Sequence, residues 1–334
     1  MSLENVSIHN MTPADIYSEK SLVILGVPIQ DRPLVVILKP LFYSLYLFFV
    51  VTGLCGNASV CYLLACEKPL RTATNYLLVN VAMSNLLMCG IAPFTPLALL
   101  SHMSIITTPL CHILPFISSV STNFSALILT SCLVQYSFRV YRRASGHHNR
   151  RGIHLWLSLS MWVFSIVLSV PQSVFRHFYQ FELGGAAKTL CDPKLSLYLQ
   201  QVLLLITITS QIIVPFLLNT VCFIWAHQSL TRSAQRRQGK HGLRTKRYKA
   251  AYRTLYALVF MAGVHIGSLI PAYVLEMFYV FCYSSSLERH KDVYSLVIHL
   301  ITLCPVCSTP LFFGLINNRV LRENNCRQRG YVPP

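Results

Sequence analysis

Charge is what this chain has least of. Of its 334 residues 54% are hydrophobic and only 12% charged, about half the charged share of an ordinary soluble domain. Acids are scarcest, with 11 Asp and Glu against 28 Lys and Arg and a formal net charge of +17. The apolar residues gather into long runs without charge, which excludes a soluble globular surface. No basic region with a short apolar core and a small-residue cleavage site opens the chain, so a cleaved signal peptide is not expected. The apolar patch at 21–29 is too short to span and is closed off by Asp31, Arg32 and Pro33. There is no internal repeat, no strand-like alternation that would build a barrel, no zinc-ligand spacing and no aromatic-interleaved RNA-binding pattern. The bases sit in short connections between apolar runs, so nucleic acid is not an expected partner despite the net charge. Paired acids, an Asp/His relay and interrupted helices in two matching halves are missing too, which disfavours an intramembrane enzyme or transporter. No metal and no cofactor is expected.

What the chain does have is seven apolar runs long enough to cross a bilayer, which takes about 20 residues as a helix. They cover 40–66, 75–100, 112–140, 153–174, 197–227, 252–279 and 293–316. Backbone groups in lipid must pair internally, so helices are the only reading of such runs. The bases orient them. Lys68, Arg71, Arg139, Arg142, Arg143, Arg150 and Arg151 fall on one side, with the cluster from Arg232 to Arg253 and the tail bases Arg319, Arg322, Arg327 and Arg329. The other side holds every acid except Glu67 and Glu323. The expected fold is an all-α integral membrane protein: a seven-transmembrane-helix bundle with the N-terminus outside and a short cytoplasmic helix 8. Residues 1–39 form an extracellular segment, 40–316 the bundle and 317–334 the cytoplasmic tail. A multi-pass protein of the plasma membrane, in contact with membrane lipids, follows.

Topology sorts the remaining features. The sequons at Asn5 and Asn10 lie outside, where a glycan can be added; those at Asn57 and Asn123 lie within spans and should be bare. Of 12 cysteines most sit in spans as small apolar packing residues. Cys111, at the outer start of the third run, and Cys191, in the second outer loop, both face the oxidising side, and a bridge between them would tie the loop over the bundle. Cys282 has no obvious partner. Cys326, among bases past the seventh run, is a candidate for palmitoylation, a plain thiol being the alternative. His147 and His148 lack a Cys or acid at ligand spacing, so they carry no metal expectation.

An ordered set of motifs carries a resemblance. "GLCGN" (53–57), "RTATNYLLVNVAMSNLL" (71–87), Cys111, Trp162, Pro171, Pro215, "SLIP" (268–271) and "TPLFF" (309–313) occur in order. Over about residues 40–325 the chain resembles the rhodopsin-like G-protein-coupled receptors. The departures are as informative. Where the family has Asp-Arg-Tyr at the foot of the third helix, this chain has Gln135-Tyr136-Ser137, Tyr136 lying 25 residues after Cys111 at the position of the family's Arg. A phenol lacks the guanidinium's five donors and fixed charge; Arg139, three residues on, is expected to point to the loop or headgroups. The second-helix Asp that holds sodium in the family is Asn85, so a site of Asn85, Ser125 and Asn57 lacks its formal charge and should bind sodium weakly at best. The sixth-helix Trp position is Leu269, the Phe beneath it His265, and the fifth-helix Tyr is Phe223. The seventh-helix motif reads Thr309-Pro310-Leu311-Phe312-Phe313, while Pro271 keeps a natural kink in the sixth helix. The tail from Leu311 to Pro334 has no Ser or Thr, so no phosphorylated tail cluster can form there.

Ser118, Thr122, Ser125, Leu129, Cys132 and Tyr136 share one face of the third helix. Its polar upper part reads as the lining of a wet cavity or as Ser/Thr hydrogen bonding among helices. Ser118 occupies the place where amine receptors have an Asp, so a biogenic amine is disfavoured; the seventh helix has no Lys, which excludes a retinal Schiff base. Glu276, at the outer end of the sixth helix, is the one acid at or near membrane depth, and such a group is a functional candidate. Facing inward it would hold a basic group on a ligand, with Gln211 and His299 as expected neighbours; otherwise it reaches the interface. His265 is expected to be a packed, hydrogen-bonded histidine.

The resemblance implies a receptor that binds an extracellular ligand, a peptide being favoured, and acts through a heterotrimeric G protein. Two other readings stay open. One is a non-signalling decoy, scavenger or partner subunit that has lost the switch, which Gln135-Tyr136-Ser137 favours. The other is a chemosensory receptor.

Overall fold

In a computed structural model, residues 33–100, 107–145, 153–183, 186–193, 195–235, 243–282 and 291–328 are described. The first span is the helix Pro33–Cys66 and the second begins at Ala73, where the Thr72 hydroxyl caps the amide of Asn75 at 3.3 Å. The third runs Thr108–Ser145, the fourth Ile153–Val174 and the sixth Leu243–Phe281. Among the described residues six helices are long and apolar enough to cross a membrane; the apolar part of the fourth, Trp156–Pro171, is shorter. Its full 22 residues nevertheless extend about 33 Å at 1.5 Å per residue, enough for a hydrocarbon core of about 30 Å.

Three spans expected to be continuous are interrupted, each at proline, which lacks an N–H and clashes with the preceding turn. The second ends as a regular helix at Ile91 and resumes at Phe94–Leu100 around Pro93. The fifth widens into a π turn over Thr209–Ile213 between Leu197–Ile208 and Val214–Gln235, just before Pro215. The seventh turns at Leu303, next to Pro305, between Lys291–Thr302 and Cys304–Gln328. Helical structure runs from Cys304 to Gln328, through the residues expected to form helix 8.

The connection between the fourth and fifth spans departs from the all-α expectation. Strands β1 (Arg176–Leu183) and β2 (Ala186–Pro193) pair antiparallel, with Phe178 opposite Cys191. A disulfide joins Cys191 to Cys111 across 80 residues, fastening the hairpin to the start of the third span as expected. Beside it, His112 and Ser173 exchange bonds: Nδ1 lies 2.8 Å from the Ser173 carbonyl, and the Ser173 hydroxyl donates to the His112 carbonyl at 3.0 Å.

The third span is the central post, packed against the second, fourth, fifth and sixth. One core cluster joins Leu77, Leu78, Phe124, Ile128, Leu133, Leu255, Leu258, Met261 and Phe313; a second joins Phe42, Tyr46, Met88, Leu296 and Val306. Gly53 and Gly56 explain the first-span motif. A Cβ at Gly53 would lie 2.6 Å from Val306 Cγ1 and 2.7 Å from Cys89 Sγ, and one at Gly56 would lie 2.6 Å from Pro310 Cγ. Small residues let three spans approach this closely. Large apolar side chains such as Phe48, Trp156, Phe164, Phe216 and Leu311 point outward, suited to lipid rather than water.

Candidate functional site

The end of the bundle beside the hairpin holds a cavity of about 60 Å³, bounded by Pro171, Phe175, Arg176, Leu203, Glu276 and Val280 among others. It is walled by the fourth, fifth and sixth spans and the first residue of β1. Glu276 is exposed to solvent although protein packs closely round it, as befits a carboxylate in a cavity wall. Arg176 lines the same cavity as Glu276, and Tyr273 lies one turn before Glu276 on the sixth span.

The expected neighbours of Glu276 are elsewhere. Gln211 is 1% exposed, turned inward on the π turn, a feature that re-aims side chains. It donates to Asn123 Oδ1 at 2.8 Å and accepts from the Tyr273 hydroxyl at 2.6 Å. Asn123 donates onward to Ser169 Oγ at 3.1 Å, and Ser169 to the Ser165 carbonyl at 2.7 Å. This chain of donors crosses the sixth, fifth, third and fourth spans. His299 faces the first span, its Nδ1 lying 3.0 Å from the Tyr46 hydroxyl. Thr122 turns its hydroxyl back on the carbonyls of Ser118 and Ser119, at 3.0 and 3.1 Å, so the polar face of the third span is partly self-satisfied. Ser118 is half-buried and Leu269 buried. His265 is buried as expected, but its Nε2 has no hydrogen-bond partner among the described residues.

In the middle of the bundle a neutral network joins the residues at the positions of the family's sodium site, where weak sodium binding at best is expected. Asn85 Nδ2 donates to Asn57 Oδ1 at 3.1 Å and to Thr309 Oγ1 at 2.9 Å. Asn57 spends its own amide hydrogens on the carbonyls of Gly53 and Val306, both at 2.8 Å. Ser125 pairs with Ser84 at 3.1 Å. Both span sequons, Asn57 and Asn123, are buried and hydrogen-bonded, which leaves no room for a sugar. Below this network Phe313 is 1% exposed.

At the other end of the bundle Tyr136 and Ser137 of the altered triplet each bond across to a neighbouring helix. The Tyr136 hydroxyl donates to the Ala251 carbonyl of the sixth span at 2.6 Å. Ser137 donates to the carbonyls of Leu133 and, across to the fifth span, Cys222, at 2.8 and 3.0 Å. Arg139, expected to reach the loop or headgroups, turns inward and donates to Thr74 Oγ1 at 2.6 Å. A buried acceptor one helix away outcompetes solvent there. Phe223 packs its ring against Tyr256 and His227 at 5.9 and 5.8 Å. Pro271 and Pro310 lie inside their helices. Asn5 and Asn10 lie outside the described residues; Cys326 is on the described last helix.

Several functional-looking contacts were not anticipated: the Asn123–Gln211–Tyr273 chain, the Tyr46–His299 pair, the reciprocal Asn75–Asn317 amides at 2.8 and 3.2 Å and Trp162 donating to Asn80 Oδ1 at 3.2 Å. Their only sequence signal is a polar residue within an apolar run, since a polar group in lipid needs a partner.

Seven helices, a hairpin bridged to the third of them and a cavity beneath it define a membrane receptor architecture. The chain matches the 7 transmembrane receptor (rhodopsin family) over residues 56–313, and it belongs to that family: a multi-pass receptor of the plasma membrane and not an enzyme. Among its relatives, Neuropeptide Y receptor type 6 of Mus musculus is 22% identical over 292 residues, 83% of this chain and 77% of that receptor. Neuropeptide receptor npr-1 of Caenorhabditis elegans is 26% identical over 196 residues, 58% of this chain and 43% of that receptor. The KiSS-1 receptor of Mus musculus is 27% identical over 209 residues, 61% of this chain and 50% of that receptor.

Proposed function

We propose that this chain is a peptide receptor that reads a basic group of its ligand at Glu276 and passes the signal to a heterotrimeric G protein. The observation that carries the reading is the outer cavity, where an accessible carboxylate shares a mixed polar and apolar wall with Arg176 beside a disulfide-pinned hairpin. Relatives named for neuropeptides support the ligand class. In this reading the N-terminus is outside, residues 1–39 and 317–334 flank the bundle of 40–316, Asn5 and Asn10 carry glycans and Cys326 is a lipidation site. Ligand binding can favour an opened sixth helix only through differential affinity for that state.

The test is nucleotide exchange on a panel of Gα subunits in receptor-containing membranes, challenged with basic and acidic peptides. Wild type is compared with Glu276→Gln and with Gln135→Asp/Tyr136→Arg at matched surface expression. Basic peptides should act, and Glu276→Gln should weaken them at least tenfold, the loss of a charge-assisted bond of about 1.5–3 kcal/mol. Unchanged potency would remove Glu276 from the site. The non-signalling reading is favoured by Gln135-Tyr136-Ser137; a wild type that binds peptide but is silent, beside an active repaired variant, would establish it.

A further inference from the structure

The cavity beside the hairpin has two charged side chains in its wall, Arg176 and Glu276, and each comes from an element that is separately held in place. Arg176 opens β1, two residues after the fourth span ends at Val174, and stands opposite Pro193 in the hairpin. Phe178, opposite the bridged Cys191, is the next residue on the same face of the strand, since strand side chains alternate. Cys191 is bonded to Cys111 of the third span, so that face is turned to the bundle, and Arg176 with it, about 7 Å along the strand from the bridged pair. Glu276 lies on the sixth span, where the Tyr273 hydroxyl, one turn earlier, fixes the helix against the fifth span by donating to Gln211 at 2.6 Å. Another part of the wall closes on itself, Gln200 donating to the Leu195 carbonyl at 3.0 Å. The volume of about 60 Å³ takes a few small groups, the tip of a ligand and not its body.

We propose that this cavity reads a terminal basic residue together with its own free carboxylate: Glu276 takes the guanidinium or ammonium and Arg176 the carboxylate. The inference rests on the reading of Glu276 as the ligand's cation site, and it narrows the ligand to peptides that end in Arg or Lys without an amide cap. The reason is charge balance in a small space. A purely cationic group satisfies Glu276 but sets a second positive charge against Arg176, a repulsion that grows as water is displaced. A purely anionic group opposes Glu276 in the same way. An uncompensated charge at a desolvated site is what makes the breaking of an ion pair so destabilising. A basic residue that carries its own carboxylate balances both walls from one small unit. Arg176 is also suited to its half of the task, because its planar fork offers a carboxylate two parallel N–H donors. A side-chain carboxylate on the preceding residue has the same chemistry, so the experiment separates the two sources.

The test needs no signalling. Affinities are measured by thermal unfolding of the full-length solubilised receptor titrated with N-acetylarginine, N-acetylargininamide and N-acetyl-aspartyl-argininamide. The first two differ only in the terminal carboxylate, and the third moves that charge onto a side chain. Wild type should bind N-acetylarginine about tenfold or more tightly than its amide, the effect of one charge-assisted bond, and more tightly than the aspartyl compound. Arg176→Gln should bring acid and amide to parity by weakening the acid, and Arg176→Lys should keep part of the preference. Glu276→Gln should weaken both. Equal wild-type affinities for acid and amide, both weakened by Glu276→Gln, overturn this proposal and leave Glu276 as the cation site. Affinities that Glu276→Gln does not touch overturn that underlying reading. Preference for the aspartyl compound, no melting shift with millimolar N-acetylarginine, or an Arg176→Gln variant that binds all three probes more tightly each overturn the terminal carboxylate as the partner of Arg176.

Discussion

Asn85→Asp restores the charge that this bundle lacks, and the structure says what that costs. The orientation of Asn57 is fixed by its two carbonyl acceptors, Gly53 and Val306, so its Oδ1 must face Asn85. Thr309 donates its hydroxyl to the Pro305 carbonyl at 3.1 Å, so it too can only accept from residue 85. Asn85 supplies both donors from one amide, at a site where it is 4% exposed. An ionised Asp supplies none and sets an anion against two acceptors; a protonated Asp would restore one. Two buried acceptors left unpaired at about 1–3 kcal/mol each amount to about 2–6 kcal/mol before the charge itself is counted. A cation bound by the new carboxylate and Asn57 Oδ1 would offset that loss by mass action. The assay is thermal unfolding of the solubilised receptor in sodium chloride and in N-methylglucamine chloride at equal ionic strength. Wild type should melt alike in both. Asn85→Asp should melt well below wild type without sodium and recover part of the difference with it. An Asp variant as stable as wild type in N-methylglucamine, or a sodium-specific rise in the wild type, would refute the reasoning.

Two further changes separate packing from propensity and tether from bundle. Gly56→Ala gains about 1 kcal/mol of helix propensity but drives a Cβ to 2.6 Å from the rigid Pro310 ring. Overpacking of about 1–3 kcal/mol should win, lowering the melting temperature; a rise would show that the first and seventh spans can part cheaply. Cys191→Ala opens a loop closed over 80 residues, a loss of about 2–5 kcal/mol, and should abolish peptide binding at the surface while the bundle still inserts. Wild-type binding by that variant would detach the hairpin from the site.

The seven spans, their approximate ends and the Cys111–Cys191 bridge were legible in the sequence because each rests on a one-dimensional quantity: the length of an apolar run, the placement of bases, or the side of the membrane on which a thiol lies. The prolines that interrupt the second, fifth and seventh spans were visible too, but whether a proline kinks, widens or breaks a helix depends on what can satisfy the freed carbonyls. Pro271 sits in an unbroken helix, whereas Pro215 is preceded by a π turn. Glu276 could be picked out as the lone acid at the outer end of the sixth helix. Its companions could not, since Arg176 comes from a hairpin that no periodicity announced, and Gln211 and His299 are claimed by Tyr273 and Tyr46. The sequence determined that Tyr136 is no guanidinium and Asn85 no carboxylate, and so which interactions were lost. Only the tertiary structure decided what took their place, because a hydroxyl or an amide in lipid bonds to whichever group lies within about 3 Å, and that neighbour belongs to another helix.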